Sequence, residues 1–245
     1  MITGLFCHNY KEMYTLLTSG CSFSECISSH IDTWPRHLSR LLPNHKHISK
    51  AMGSQGNGLI SRSIVYECSR IKHKDLLVGI MWSGPDRHDF YNTRVHYERN
   101  IDWWMDNPTG FVHGQPPSWV ICNVHWQNEQ SKNYYKNFHD NTGAYISTLE
   151  HLLFAQMYLK ANNIKYFMST YMDEVLPKSL LNNPHTEHLY KQIDFDNFLP
   201  VSSMYQWCAE KSGLPFPEKD ISHPSTQQHK AFVDKVVWPH VQNLL

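Results

Sequence analysis

The chain has 245 residues, of which 41% are hydrophobic and 18% charged, and its 22 Lys and Arg residues balance 22 Asp and Glu residues. This composition is typical of a globular protein, and the length suits one α/β domain or two smaller ones. The balanced charge, without a basic stripe, argues against nucleic acid as a partner. No apolar run approaches the roughly 20 residues that a membrane-spanning helix needs.

The first ninety residues alternate between predicted strands and predicted helices. Strands are expected at residues 13–18, 47–52 and 75–82, and helices at 33–42 and 59–71, where apolar residues recur at helical spacing. The segment 75–82 is a continuous apolar run, of the kind that is buried in a parallel sheet. A glycine-rich loop at 53–58 follows the second predicted strand.

Residues 83–141 break this pattern, because they are rich in aromatic residues, histidine, asparagine and proline. So long a stretch is not expected to be plain loop inside a compact domain. We therefore predict a single domain over residues 1–245 with an insertion at about 88–140, which serves as a lid or as a surface for a partner. Its tryptophans could stack on a sugar or pack in a small core; they are Trp103, Trp104, Trp119 and Trp126.

Regular elements return after the insertion. Helices are expected at 142–162, 201–212 and 225–244, and a strand at 164–170. Ser225 and Gln228 form a capping-box pattern at the start of the last helix, and Pro239 is expected to kink or end it. The alternation predicts a three-layer α/β/α sandwich with a mainly parallel sheet of four or five strands. Ligands of such sheets bind at the carboxyl ends of the strands, so the loops at 19–24, 53–58 and 83–87 are expected on one rim.

The sequence predicts neither a cofactor nor a metal. Five of the 17 histidines lie in the predicted insertion, and none has the His-x-x-x-His or Glu-x-x-His spacing that places two ligands on one helix face; they are His88, His96, His113, His125 and His139. The six cysteines include no Cys-x-x-Cys pair, and the N-terminus lacks a signal-peptide pattern. A reduced, cytoplasmic-type compartment is therefore favoured.

Three residues have the types and spacing expected of a catalytic triad. Asp220 stands three residues before His223, so its carboxylate can reach the imidazole Nδ1 and leave Nε2 to take a proton from a serine. Read alone, this pair also fits a surface turn that caps a helix. Ser22 lies directly after the first predicted strand, in 19-SGCSFS-24, where a serine nucleophile would stand at the rim.

Three blocks of the sequence, taken in order, resemble the SGNH (GDSL-like) hydrolase family. They are 20-GCSFS-24, 53-GSQGN-57 and 220-DISHPS-225, which are similar to the first, second and fifth blocks of that family. The resemblance spans residues 13–90 and 142–244 and leaves the insertion uncovered. It implies an SGNH- or flavodoxin-like sandwich.

The resemblance also implies roles for individual residues. Ser22 would be the nucleophile, His223 the general base and then acid, and Asp220 the residue that orients His223. The backbone N–H groups of Ser22 and Gly56 would face the developing oxyanion, since glycine lets the backbone approach the substrate closely. We expect Ser22 Oγ within about 2.6–3.2 Å of His223 Nε2.

The third block departs from the family pattern. The family places an asparagine after the third strand as another oxyanion donor, whereas this chain has 81-MWSGPDRHDF-90, without an asparagine. Ser83, Arg87 and Asn57 are the candidates to replace that donor. The remaining alternative is that the donor is missing and the protein is slow or inactive.

The resemblance implies a serine hydrolase that cleaves an ester through an acyl-enzyme, with a small molecule or glycan as substrate, such as a sugar that carries a short acyl group. Two alternatives stay open. The altered third block and the insertion favour a binding or structural module without turnover. An acyltransferase would instead pass the acyl group to a sugar hydroxyl.

Overall fold

A parallel sheet of four strands forms the centre of the fold. The computed structural model describes residues 14–25, 31–72, 76–91, 119–125, 129–218 and 220–245. The strands are β1 (Tyr14–Ser19), β2 (His45–Ser49), β3 (Leu76–Trp82), β4 (His88–Tyr91), β5 (Trp119–Cys122) and β6 (Lys165–Thr170). The central sheet has the order β2-β1-β3-β6, and all of its neighbouring strands are parallel. Strands β4 and β5 form a separate antiparallel pair.

Helices connect and cover these strands. The α-helices of the described residues are α1 (Trp34–Leu41), α2 (Asn57–Cys68), α3 (Glu129–Asn137), α4 (Asn141–Ala161), α5 (Pro184–Tyr190), α6 (Met204–Glu210), α7 (Thr226–Phe232) and α8 (Trp238–Leu244). Short 3₁₀ helices span Asp173–Val175, Lys178–Asn182 and Phe195–Asn197, and a π-helical turn spans Val233–Val237.

The two faces of the sheet pack against different helices. Successive strand residues point to opposite faces, so Leu17 and Val78 enter one core while Leu16 and Leu77 enter the other. Helices α2, α4 and α5 contribute to the first core, and α1, α6, α7 and α8 to the second. All seven residues of β3 are buried, as expected for a central strand covered on both faces. The predicted three-layer α/β/α sandwich with a mainly parallel sheet is confirmed, with four strands in the sheet.

The edge strand β2 begins two residues earlier than predicted. Asn44 has a φ of 47°, in the left-handed region, and this turn sets the start of the strand at His45. The edge strand is only partly buried, so its hydrophobic pattern marks its ends poorly.

The C-terminal helical segment begins at the predicted capping box, since Ser225 Oγ accepts a hydrogen bond from Gln228 N–H and Ser225 N–H donates to Gln228 Oε1. The helix does not end at Pro239. Instead, the wider turn Val233–Val237 precedes α8, and Pro239 lies in the first turn of α8, where its missing N–H costs little.

Most of the predicted insertion lies outside the described residues. Its described parts are β4, β5 and α3. Trp103, Trp104, Trp126, His96 and His113 lie outside the described residues, and only the backbone of Trp119 is described. The aromatic platform and the lid or partner surface therefore stay predictions, as does the single domain over residues 1–245.

Candidate active site

The turn after β1 holds Ser22 at the carboxyl edge of the sheet. Ser24 N–H donates to Cys21 O at 2.9 Å, and Met52 N–H donates to Gly20 O at 3.1 Å. A Cβ at Gly20 would lie 2.5 Å from Ser24 Oγ and 2.9 Å from Met81 O, so this position requires glycine. Cys21 is fully buried and Ser22 is half-buried. The tight turn thus points the thiol inward and leaves the serine at the rim.

Ser22, His223 and Asp220 form a continuous hydrogen-bonded chain. Ser22 Oγ lies 2.9 Å from His223 Nε2, within the expected range, and His223 Nδ1 lies 2.8 Å from Asp220 Oδ2. When Nδ1–H donates to the carboxylate, Nε2 is free to accept the serine proton. The ring of Phe23 packs against the imidazole with 5.2 Å between ring centroids. This is the arrangement of a nucleophile, a base and an orienting acid, although their catalytic roles stay predictions.

Ser222 supports the carboxylate of the chain. Its N–H and Oγ lie 2.9 and 2.5 Å from Asp220 Oδ1, and its Oγ also lies 3.0 Å from His223 Nδ1. Burial opposes ionisation of Asp220, but the hydrogen bonds from Ser222 together with the interactions with His223 outweigh it and lower the pKa of the carboxyl below its usual value. Asp220 is therefore negatively charged at neutral pH and can stabilise a protonated His223.

The N–H of Gly56 in the loop 53–58 does not have the surroundings predicted for an oxyanion donor. Gly56 N–H donates to Asp89 Oδ1 at 3.0 Å, and Leu59 N–H donates to Asp89 Oδ2 at 2.9 Å. The N–H of Gly56 is thus used inside the protein and does not face a substrate oxyanion. Glycine is needed there for another reason, because a Cβ would lie 2.7 Å from Asp89 Oδ2 and 2.9 Å from Arg87 O.

Asp89 is a residue that the sequence reasoning missed. Its side chain is almost fully buried, and burial raises its pKa to about 6, against the hydrogen bonds from Leu59 and Gly56. The carboxyl fastens the start of α2, where unpaired N–H groups favour an acceptor. Because the Gly56 contact joins residues 33 positions apart, no local spacing signals it.

Asn57 and Ser83 bind each other and do not face solvent. Asn57 Nδ2 donates to Ser83 O at 2.9 Å and to Thr148 Oγ1 at 3.2 Å, while Ser83 N–H donates to Asn57 Oδ1 at 2.8 Å. Both side chains are buried. The Asn57 amide and the Ser83 N–H are thus used within the protein, and the Ser83 hydroxyl, which accepts a hydrogen bond from Arg87, stays a predicted oxyanion donor. The hydrogen bonds between Asn57 and Ser83 join the second loop to the third.

Arg87 lies behind the nucleophile turn. Its Nη1 donates to Ser83 Oγ at 2.8 Å, its side chain contacts the buried thiol of Cys21, and its guanidinium stands 5.0 Å from the ring centroid of Tyr171. The Nε atom is buried without a partner. Since Cys21 points away from the rim, Arg87 acts on the turn from the inside, and its predicted direct contact with substrate stays a prediction.

Glu25 is a second residue that the sequence reasoning missed. It ends the nucleophile turn and accepts a hydrogen bond from Gly53 N–H at 3.2 Å through Oε2. Burial raises the pKa of this carboxyl, and the bond from Gly53 opposes the shift. Glu25 therefore links the first loop of the rim to the second.

The part of the chain that the structure describes contains neither a metal-binding cluster nor a membrane-spanning helix. It contains no group of three or more His, Cys, Asp or Glu side chains that could hold a metal ion. Within the same residues, no helix combines the length and apolarity needed to cross a membrane. Among the described residues, four buried cysteines form no disulfide, namely Cys21, Cys68, Cys122 and Cys208, and the other two lie outside the described residues.

Comparison with known proteins supports the fold. The crystal structure of TesA matches this chain with a TM-score of 0.51 and 13% sequence identity, and the match covers 95% of this chain and 100% of TesA. At this identity the likeness shows a common α/β/α fold and nothing finer. No protein-family model matches the sequence, and no curated protein matches it.

Proposed function

We propose that this protein is a serine hydrolase of the SGNH type that cleaves an ester through an acyl-enzyme. The observation that carries the proposal is the hydrogen-bonded chain from Ser22 Oγ through His223 to Asp220, with distances of 2.9 and 2.8 Å. Nucleophile, base and orienting acid in this order can activate a serine hydroxyl at neutral pH. The TesA-like fold agrees with such a site.

The reaction would proceed in two halves. Ser22 Oγ attacks the ester carbonyl carbon while His223 Nε2 accepts the hydroxyl proton. The bond from the carbonyl carbon to the leaving oxygen then breaks, and His223 returns the proton to the departing alcohol. Water next gives a proton to His223, attacks the acyl-enzyme and releases the carboxylic acid, while Ser22 regains its proton.

We propose a short acyl ester on a sugar or glycan as the substrate class to test first, which follows from the family resemblance. An acyltransferase would use the same first half and a sugar hydroxyl in place of water. The observation that favours a non-catalytic module instead is that the Gly56 N–H, the Asn57 amide and the Ser83 N–H all donate within the protein.

Covalent labelling tests the proposal. The wild-type protein, incubated with a fluorophosphonate probe, should gain one label, and peptide mapping should place it on Ser22. Ser22→Ala should abolish both the label and the hydrolysis of p-nitrophenyl acetate. Ser69→Ala removes an exposed hydroxyl at the end of α2 and is the matched control, which should label like wild type.

Two outcomes would contradict the proposal. A folded wild-type protein that neither labels nor hydrolyses short-chain aryl or sugar esters would favour the binding module. Labelling that persists in Ser22→Ala would place the nucleophile elsewhere. Product analysis with an added sugar acceptor distinguishes a hydrolase from an acyltransferase. A transferase forms acylated acceptor in preference to free acid.

A further inference from the structure

We propose that the hydroxyl of Tyr171 donates a hydrogen bond to the substrate oxyanion. It would replace the side-chain donor that the third loop lacks. This inference rests on the proposed function, because an oxyanion forms only if Ser22 attacks a carbonyl carbon. It concerns a residue at the end of β6 that the block pattern does not point to.

Contacts through Phe23 bring Tyr171 next to the candidate site. Tyr171 directly follows β6, and its N–H continues the pairing with β3 by donating to Trp82 O at 3.1 Å. Phe23, the residue after Ser22, contacts both the Tyr171 ring and the His223 imidazole, with 5.2 Å between ring centroids in each case. Tyr171 therefore lies one side chain away from the hydrogen-bonded chain of Ser22, His223 and Asp220.

The hydroxyl borders the part of the third loop where a donor is missing. A Cβ at Gly84 would lie 3.1 Å from Tyr171 Oη and closer still to Asp86 Oδ1, so the hydroxyl and the Asp86 carboxyl both adjoin the space that a side chain at position 84 would enter. Among the residues that the structure describes, none forms a hydrogen bond with this hydroxyl. Its proton is therefore not committed to any described group.

Packing on several sides fixes the ring that carries this hydroxyl. The ring meets Phe23, the residue after Ser22, edge to face with 5.2 Å between centroids. The guanidinium of Arg87 stands 5.0 Å from the same ring. Tyr205 N–H donates to Tyr171 O at 2.9 Å. A donor held in this way needs little reorganisation when charge develops on the substrate, which is what makes an oxyanion site effective.

Two other donors near the rim are used within the protein. Asn57 Nδ2 is satisfied by Ser83 O and Thr148 Oγ1, and Gly56 N–H by Asp89. The N–H of Ser22, by contrast, donates to no described residue. The Ser22 N–H and the Tyr171 hydroxyl together would give a site with two donors.

Tyr171 stays protonated at every pH at which the enzyme would work. Burial raises the pKa of its hydroxyl to about 12, although the Arg87 guanidinium acts in the opposite direction. The hydroxyl is thus a neutral donor throughout the neutral range.

The test is Tyr171→Phe, which removes the hydroxyl and keeps the ring. We expect kcat for p-nitrophenyl acetate to fall about 10²-fold, the effect of one lost oxyanion donor, while KM changes less than about threefold. Inhibition by a boronic acid, whose tetrahedral serine adduct carries an oxygen in the oxyanion position, should weaken in parallel. Tyr145→Phe is the matched control, because Tyr145 lines a cavity with Tyr171 but donates to Glu174 O. It should keep the wild-type kcat.

The other possible outcomes show whether the Tyr171 inference fails alone or together with the proposed function. If the wild-type protein labels at Ser22 and Tyr171→Phe keeps the wild-type kcat, the inference is wrong and the hydrolase proposal stands. Equal losses in Tyr171→Phe and Tyr145→Phe would also overturn it. A Tyr171→Phe protein that fails to fold would do the same, because the hydroxyl would then have a structural partner. A wild-type protein without label or turnover removes the proposed function, and the inference with it.

Discussion

The loops at the carboxyl edge of the sheet divide into two pairs. The outer pair consists of residues 20–25 and 220–223, and it directs a serine and a histidine toward each other at the surface. The inner pair consists of residues 53–58 and 83–89, and its polar groups bind one another inside the protein. Similar residue types are thus placed for the proposed chemistry in one pair and hold the fold together in the other.

The difference between the pairs lies in burial more than in residue identity. Asp220 keeps almost half of its side chain exposed and is held ionised by hydrogen bonds, whereas Asp89 is enclosed and its pKa is raised to about 6. The same carboxyl group is therefore suited to assist an imidazole in one loop and to fasten a helix in the other. Substitutions in the outer pair should change rate, and substitutions in the inner pair should change stability.

The largest effect should come from His223→Gln. Without a base, turnover of p-nitrophenyl acetate should fall by about 10⁵–10⁶-fold, the scale seen when a triad base is removed. The thermal midpoint should stay within about 2 °C, because surface changes cost little stability. The exposed His185 offers a control, since His185→Gln should leave both quantities unchanged. A rate loss of less than tenfold would mean that another base serves Ser22.

Asn57→Ala tests the inner pair and should act on stability. The change removes three hydrogen bonds and leaves Ser83 N–H and O buried without partners, so the free energy of unfolding in urea should fall by about 3 kcal/mol. Asn243→Ala, at an exposed position near the C-terminus, should leave that free energy unchanged. An Asn57→Ala protein with wild-type stability and a large loss of kcat would contradict the division into rate-determining outer loops and stabilising inner loops. The amide would then act on the substrate.

Asp89→Asn should change how stability depends on pH. A carboxyl whose pKa is raised in the folded state stabilises the protein fully below its unfolded pKa, and this contribution is lost as pH rises through the folded value. The difference between about 6 and the usual 3.8 corresponds to about 3 kcal/mol. The wild-type free energy of unfolding, relative to that of Asp89→Asn, should therefore decrease by about that amount between pH 3.5 and pH 7. A constant difference between the two proteins would mean that Asp89 has an ordinary pKa.

Ser222→Ala should have the smallest effect of the four substitutions. It removes the hydroxyl bond to Asp220 but keeps the backbone N–H bond, so Asp220 stays close to His223. We expect kcat to fall about two- to tenfold, because about 1 kcal/mol of orientation is lost. Full kinetics on an aryl ester at pH 7.5 measure this. A loss as large as that of His223→Gln would show that the hydroxyl itself takes part in proton transfer.

The sequence was sufficient for the sheet and for the outer loops. Residues 75–82 form one continuous apolar run, which marked the central strand, and Asp220 and His223 lie three residues apart, so one turn of chain joins them. The inner loops gave no such signal. The contacts between Gly56 and Asp89 and between Asn57 and Ser83 join residues 33 and 26 positions apart, and neither periodicity nor a motif encodes such pairs. They follow only from how β3 and the start of α2 meet in space.

Two buried thiols give each half of the sandwich its own chemical reporter. Cys68 belongs to the core under α2 and α4, Cys208 belongs to the opposite core, and both are completely enclosed. Burial raises the pKa of each to about 12, so the reactive thiolate is scarce while the fold is intact. The rate at which an alkylating reagent modifies each thiol then measures how often the corresponding helical layer opens. A comparison of the two rates in one sample would show whether the layers separate from the sheet together or one at a time.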